Sequence, residues 1–585
     1  MKKIVNLVLI VTLLLSFFSG TSLAEEKRVL TVGDVNDNTM SWNNWKMIKR
    51  IEEELGIDIQ YTYYDADAFA AILASGDLPD LVYPGNMLNY IREADLAMNV
   101  APYLEEYCPN ALHDAISSTI KLYKKILYND KDEFYFFPAN IGKNGFAEGP
   151  DLSSRGYVVR WDYYKELGCP KITNDEEYLE VLVQMQANHP TTDDGYPTYI
   201  YGTDNWRGYD TAFRRYMSLN YWGLYLYENN IFTNDVFDGY LDTEHSMWWS
   251  ATKWYHKLYN AGKDNGTFDM DLFTQTNDEF KLKRDRGQYM GMHNGNDSLY
   301  NAEVVKNPDT LAGYVTIPDA PSNYYVNVNM IMGNGSMYMG FISKNSENYD
   351  LALQVINYFY STDFMREAYM GEQGVTWDYD ENGVPQMNEY GKEQFAASRD
   401  PSRNNESNYY YNLGGRITNA TGYNDNIIHP KDGYPLNFYT LSREYSVEHM
   451  NGLYKDVAEW YGVELPMDAV YAAGNFDFRN DCGEAIDSLM STALDSDQLK
   501  IITSAQEILD SYQADLIMCE SQEEFDALKA SILEEIAATG EADVFAAYQA
   551  EWNRIRDIMV PILTELNEAN GIPSYTAEQY GDLAK

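Results

Sequence analysis

The chain has 585 residues, too many for one hydrophobic core, and its 45% hydrophobic and 23% charged content is that of a globular protein with two or three packed units. The formal net charge of -47 repels nucleic acid and anionic membranes, which removes both as expected partners and suits solubility outside a cell.

In chain order, residues 1–24 read first as an export signal. Lys2 and Lys3 precede an apolar run over 4–18, and Ser22-Leu23-Ala24 has the small-x-small form of a cleavage site, which starts the mature chain at Glu25. The run is short for a membrane span, and no later segment approaches the ~20 consecutive apolar residues a span needs. Residues 29–32 then form a strand ending at Gly33. Residues 43–55 form a helix with Met47, Ile48, Ile51 and Leu55 on one face and Gly56 at its end. Residues 57–63 alternate as a strand. A second helix at 67–75 turns Phe69, Ile72 and Leu73 inward and stops at Gly76, and residues 81–83 make the next strand. This β-α-β-α-β order predicts a parallel sheet with crossover helices. A second α/β block begins with a strand at 156–159 and a helix at 161–167, followed by a capping box from Thr173 to Glu176. After an aromatic-rich middle, helix returns at 349–364, residues 378–435 read as loop, and the pattern is helical from about 495, with a capping box at Ser521–Glu524.

Ligands of open α/β sheets bind past the carboxyl ends of the strands. That places Asp34, Asn36 and Trp42 after the first strand, and Tyr83 and Asn86 after the third, in position to meet a ligand. The composition includes 51 tyrosines and 11 tryptophans. Sugar faces pack on aromatic rings while their hydroxyls need polar partners, but most such rings in a large protein are core. Trp206 and Arg207 form a polar loop with one ring and one fork donor, which can bind vicinal hydroxyls or pair with a surface carboxylate. Trp222, Trp248, Trp249 and Trp254 have helical neighbours and read mainly as core or surface, with the cleft also open to Trp222. Cys108, Cys169, Cys482 and Cys519 contain no CxxC, which argues against zinc; three disulfide pairings and free thiols all remain open.

Several blocks together resemble the family 1 extracellular solute-binding proteins of bacterial ABC importers, of the large type associated with oligosaccharides. They are "ASGDLPDLVYPGN" (74–86), "GYVVRWDYYKELGCPKITNDEEYLEVL" (156–182), "RGQYMGMHNGN" (286–296), the segment 340–383 containing "GEQGVTW", and the C-terminal "ILDSYQADLIMC" with "EEFDALKASILEEI". The resemblance implies an α/β, two-lobed periplasmic-binding-protein-like fold of type II, with a hinge and extra C-terminal helices. Lobe 1 would comprise 25–150 and 330–376, and lobe 2 would comprise 151–329 and 377–585. It implies an oligosaccharide or glycoside ligand, ABC permease subunits as partners, a monomer, and no catalysis. It adds Asn294, Asp297 and Trp377 to the expected cleft residues, with Trp377 the strongest contributor. The chain departs from the family in lacking a lipobox cysteine, which leaves it exported: free in the periplasm, secreted outside the cell, or held at the cell surface by its partners. It departs again at 189–202, where the family often has a calcium loop: "HPTTDDGYPTYIYG" keeps Asp193, Asp194 and Gly195 but not the alternating oxygen ligands, so no cofactor is expected. The competing readings are a secreted glycoside hydrolase, which needs a carboxylate pair, and a carbohydrate sensor or adhesin outside transport.

Overall fold

Strand β1 (Arg28–Asp34) buries Leu30 and Val32 and runs through helix α1 (Lys46–Leu55) into strand β2 (Ile57–Tyr63). The structure, a computed structural model, describes residues 27–35, 42, 46–112, 120–121, 124–125, 127–128, 131–138, 157–203, 233–235, 240–241, 248–292, 309–320, 324–327, 339–399, 427–473, 476–479, 495–544 and parts of 546–561. Helix α1 buries Met47, Ile48 and Ile51 as its periodicity predicts, each worth about 1.5–3 kcal/mol. It also buries Glu52, whose carboxylate accepts a hydrogen bond from the Ile59 backbone at 2.9 Å. Helix α2 (Ala66–Ser75) starts at Asp65, which accepts from Ala68 N at 2.8 Å, and ends at Gly76, whose φ of 71° only glycine adopts freely.

The turn after Gly76 leads to Asp80, just before strand β3 (Leu81–Tyr83). Its carboxylate accepts from Thr31 N and Thr31 Oγ1 at 2.9 and 2.7 Å and from Ser346 Oγ at 2.6 Å. One side chain thus ties the entry of β3 to β1 and to the turn at Ser346, and this explains a turn set directly against a three-residue strand. The remaining strands of the two larger sheets are β4 (Phe136–Phe137), β5 (Val158–Arg160), β6 (Tyr199–Gly202), β7 (Tyr289–Met292), β8 (Tyr314–Thr316) and β9 (Gly340–Ile342). The first sheet has the order β2-β1-β3-β9-β4; β2, β1 and β3 are parallel as predicted, and β9 is antiparallel to both its neighbours.

The second sheet has the order β8-β5-β7-β6, and only β6 and β7 run parallel. Helix α3 (Trp161–Glu166) follows β5, and helix α4 (Asp175–Asn188) packs on the sheet through Tyr178, whose hydroxyl donates to Val158 O at 2.5 Å. The predicted Thr173–Glu176 capping box is shifted by one residue. Asn174 takes the cap, Glu177 reaches back to Thr173 N and Oγ1 at 2.8 and 2.7 Å, and Glu176 pairs with Lys257 on helix α5 (Trp248–Gly262) instead. Helix α6 (Asn277–Asp285) carries a full capping box of Thr276 and Glu279.

Each sheet has its own core. The first core gathers residues from β1 to β4 and from 339 onward, including helices α7 (Tyr349–Phe359) and α8 (Thr362–Met370). The helix expected as one segment over 349–364 is two, because Ser361 caps a new start by accepting from Phe364 N. The stretch expected as loop holds a hairpin, Trp377–Tyr379 with Pro385–Met387, and helix α9 (Glu389–Arg399). Asp380 accepts from Asn382 N and Val384 N at 2.8 and 2.9 Å to close that turn. Trp377, Met387, Phe395, Ile427, Leu436 and Phe438 all lie in the first core, whereas the family resemblance implies lobe 2 for residues from 377 on. The second core takes up Met450, Leu453, Val457 and Val470, so among the described residues the chain changes core between 438 and 450. Helices α10 (Ser496–Ile517) and α11 (Gln522–Ala537) pack on Trp248 and Trp249 of α5 in a third cluster, as the C-terminal periodicity predicts. Cys108, Cys169 and Cys519 are free thiols. Among the described residues no helix is long and apolar enough to cross a membrane.

Candidate ligand-binding site

The carboxyl ends of the parallel strands define the site. Asp34 ends β1 and lies in register with Tyr83, which ends β3. Tyr83 N–H and C=O groups belong to the sheet edge, and Val35 N donates to Tyr83 O at 3.2 Å. Asp34 is fully buried. Burial, and then the Asp34 charge, push the Tyr83 phenol far above its ordinary value, so the hydroxyl stays protonated and can donate. The Tyr83 ring lies on Gly340, where a Cβ would stand 2.7 Å from it. Trp42 joins them: it stacks on Tyr61 at 5.8 Å, tilts against Tyr83 at 6.1 Å and meets Phe359 edge-on at 5.5 Å. Its Nε1 is buried without a hydrogen-bond partner among the described residues, an expensive state unless something supplies one.

Asp34, Trp42 and Tyr83 are therefore together, as the strand-end argument predicts. They differ from expectation in exposure: Trp42 is 1% and Tyr83 3% exposed, because rings from β2 and α7 close over them. Trp377 is corrected more fully. Its Nε1 donates to Gly371 O at 2.8 Å, and Tyr379 and Phe438 pack edge-on at 5.4 Å each, so its ring is core. The Arg366 guanidinium stands 5.8 Å from the same ring and pairs, itself buried, with Asp432. Asn86 sits in the turn Gly85–Met87 straight after β3. Asn36, Trp206, Arg207, Asn294 and Asp297 lie outside the described residues, as does Trp222. Trp248, Trp249 and Trp254, expected as core or surface, are core.

In the second unit the parallel pair ends at Gly202 and Met292, in register. Thr203 follows Gly202 and was missed by sequence reasoning. It is 1% exposed, its Oγ1 has no partner among the described residues, and its carbonyl accepts from Gln275 Nε2 at 3.0 Å. Beneath it lies a buried polar network. Lys283 Nζ donates to both oxygens of Asp269 at 2.8 Å, and Tyr289 OH donates to Asp269 at 2.7 Å. The only sequence signal was Gly202 itself, where a Cβ would strike the Tyr289 ring at 2.4 Å. Each sheet edge thus carries a buried polar atom with no partner among the described residues, Trp42 Nε1 and Thr203 Oγ1, the first of them among aromatic rings. That combination suits a ligand with apolar faces and many hydroxyls.

No protein-family model matches the sequence, and no curated protein matches it. The fold, however, is shared with solved structures. The alginate-binding protein AlgQ2, solved without calcium ion, is similar at TM-score 0.53 and 15% identity, over 90% of this chain and 98% of that one. An HMO-binding, ABC-transporter-associated solute-binding protein from Bifidobacterium longum infantis is similar at TM-score 0.55 and 14% identity, over 90% and 99%. The ABC-transporter substrate-binding protein FusA of S. pneumoniae, in complex with kestose, is similar at TM-score 0.51 and 14% identity, over 91% and 100%. The chain has the mixed α/β fold of these solute-binding proteins along nearly its whole length.

Proposed function

We propose that this chain is an exported solute-binding protein that captures an oligosaccharide or glycoside between its two α/β units and delivers it to the permease subunits of an ABC importer, without catalysis. The observation that carries the reading is the pair of parallel-strand carboxyl edges, each carrying a buried polar atom with no partner among the described residues, within a fold shared with oligosaccharide-binding proteins. We assign residues up to about 138 and from 339 to 438 to one lobe, and 157–320 with 450–470 to the other, on the membership of the two cores. Asp34, Trp42, Tyr83 and Thr203 are the proposed ligand contacts among the described residues, with Asn36, Asn86, Trp206, Arg207, Asn294 and Asp297 carried from the sequence.

The test is a thermal-shift screen of the monomeric chain with kestose, human milk oligosaccharides and alginate oligosaccharides. A ligand present at 100 times its dissociation constant stabilises the fold by about 2.7 kcal/mol and raises the melting temperature accordingly. Product analysis by chromatography runs alongside. Binding without turnover supports transport capture; release of shorter sugars, lost on changing one carboxylate, would instead support the glycoside hydrolase reading.

A further inference from the structure

The loop 189–198 stands where the family resemblance implies a calcium ion, yet five of its backbone carbonyls are already engaged. Thr192 O accepts from Gly195 N at 2.8 Å, Tyr196 O from Thr192 N at 2.8 Å, and Pro190 O from Thr198 N at 3.2 Å. His189 O accepts from Thr198 Oγ1 at 2.5 Å and Pro197 O from Gln288 Nε2 at 2.9 Å. Of the loop's own side chains only Asp193 and Asp194 are carboxylates, and two carboxylates supply at most four of the six to eight oxygens calcium takes. Three guanidiniums, of Arg160, Arg284 and Arg286, line the same cavity of about 340 Å³ as the Asp193, Asp194 and Asp285 carboxylates, and Asp285 is already taken by Arg284. A divalent cation entering it would compete with these guanidiniums for the carboxylates. The donor set does not fit calcium.

The same residues show what holds the loop. Arg160, at the end of β5, lies 3.8 Å over the Tyr163 ring, pairs with Asp162 at 3.0 Å, and donates through Nη1 to Gly287 O at 2.7 Å. Gly287 has φ of +68°, and a Cβ there would stand 2.3 Å from Arg160 Nη1, so the close approach requires glycine. Arg284 is 3% exposed and pairs with Asp285, while Arg286 lies 4.2 Å over the Tyr196 ring of the loop. Arg160 thereby joins β5 to the segment entering β7, and Arg286 joins that segment to the loop entering β6.

We propose that this arginine clasp takes the structural place of the calcium ion, so that the second sheet and the edge at Thr203 are set without metal. The test is calorimetry and thermal unfolding of the full chain, first stripped with EDTA and then raised to about 5 mM calcium, above the dissociation constants of extracellular calcium modules. We expect no saturable heat of binding and a melting temperature unchanged to within about 1 °C. Arg160→Gln should lower the melting temperature by at least about 3 °C, equally with and without calcium. A saturable calcium-dependent rise above that range, abolished by Asp193→Asn, would overturn the proposal. So would an Arg160→Gln variant that melts with the wild type. If that variant does not fold, the wild-type calcium titration decides alone.

Discussion

Replacing Trp42 with phenylalanine separates the two things this residue does. The ring is packed on Tyr61, Tyr83 and Phe359, and its Nε1 is buried with nothing among the described residues to receive the proton. Phenylalanine keeps the six-membered ring and trims the rest, leaving a void that costs about 1–2 kcal/mol on the large-to-small scale. It also removes an unpaired buried N–H, whose desolvation penalty is about 1–3 kcal/mol. The two nearly offset, so Trp42→Phe should unfold within about 1 kcal/mol of wild type. Trp42→Ala loses the packing on all three rings and should cost about 3–5 kcal/mol. Urea unfolding followed by circular dichroism at neutral pH measures both variants. In the same preparation, Trp42→Phe should weaken binding of whichever screened oligosaccharide stabilises the wild type, by roughly tenfold if Nε1 donates one hydrogen bond worth ~1.4 kcal/mol. A Phe variant as unstable as the Ala variant would refute the reasoning, because it would mean that Nε1 is paired in the ligand-free protein.

Trp377→Ala should lose about 3–5 kcal/mol of stability in thermal or urea unfolding, while its folded fraction keeps the wild-type affinity; a stable variant with weakened binding would return Trp377 to the cleft. Gly340→Ala should destabilise by about 1–3 kcal/mol in the same assay, since its Cβ must displace the Tyr83 ring. His429 is held neutral: burial first, then the Arg366 guanidinium, push its imidazole below the ordinary value. Its contribution is therefore whole above the unfolded pKa of about 6.5 and is lost as pH falls through that value toward the lower folded one. Burial alone would raise the Asp432 carboxyl, but hydrogen bonds from Arg366 and from Tyr434 N hold it low, which adds a second loss at more acid pH. Melting temperature followed from about pH 8 to pH 5 should fall, and His429→Gln should flatten the part near pH 6.5; a flat wild-type curve would sink this account.

The first sheet was readable because each of its elements announces itself locally. Asp65 and Gly76 bracket α2, and the α1 stripe of Met47, Ile48 and Ile51 has helical spacing. The partner of Asp80 was not readable, because Thr31 and Ser346 are brought to it only by the strand order. The same limit explains Trp377. Its turn was recognisable, but nothing local says that Phe438 returns to pack on it, 61 positions later by sequence number. Strand-end placement was the part of the site that sequence could supply, and it brought Asp34, Trp42 and Tyr83 together. Exposure was beyond it, since the covering ring of Phe359 comes from a distant helix. Thr203 was beyond it too, because an unpaired hydroxyl is visible only once every neighbour is in place.

The position of β9 between β3 and β4 governs the order in which the molecule can be completed. Among the described residues, 136–137 pair into the sheet only through 340–341, so the first 138 residues cannot close their own sheet however long they wait. Until Gly340 has been synthesised, β3 keeps an open edge with unpaired peptide groups, and its apolar Leu81 and Val82 lack the Phe341 and Ile342 that pair with them. Folding of the N-terminal unit must then span about two hundred residues of sequence before its long-range contacts reward the loop closure, which makes it slow relative to the chain's local helices. A fragment ending before residue 339 should for this reason aggregate through that edge rather than fold as a truncated lobe, and a chain kept unfolded until it is complete avoids the hazard.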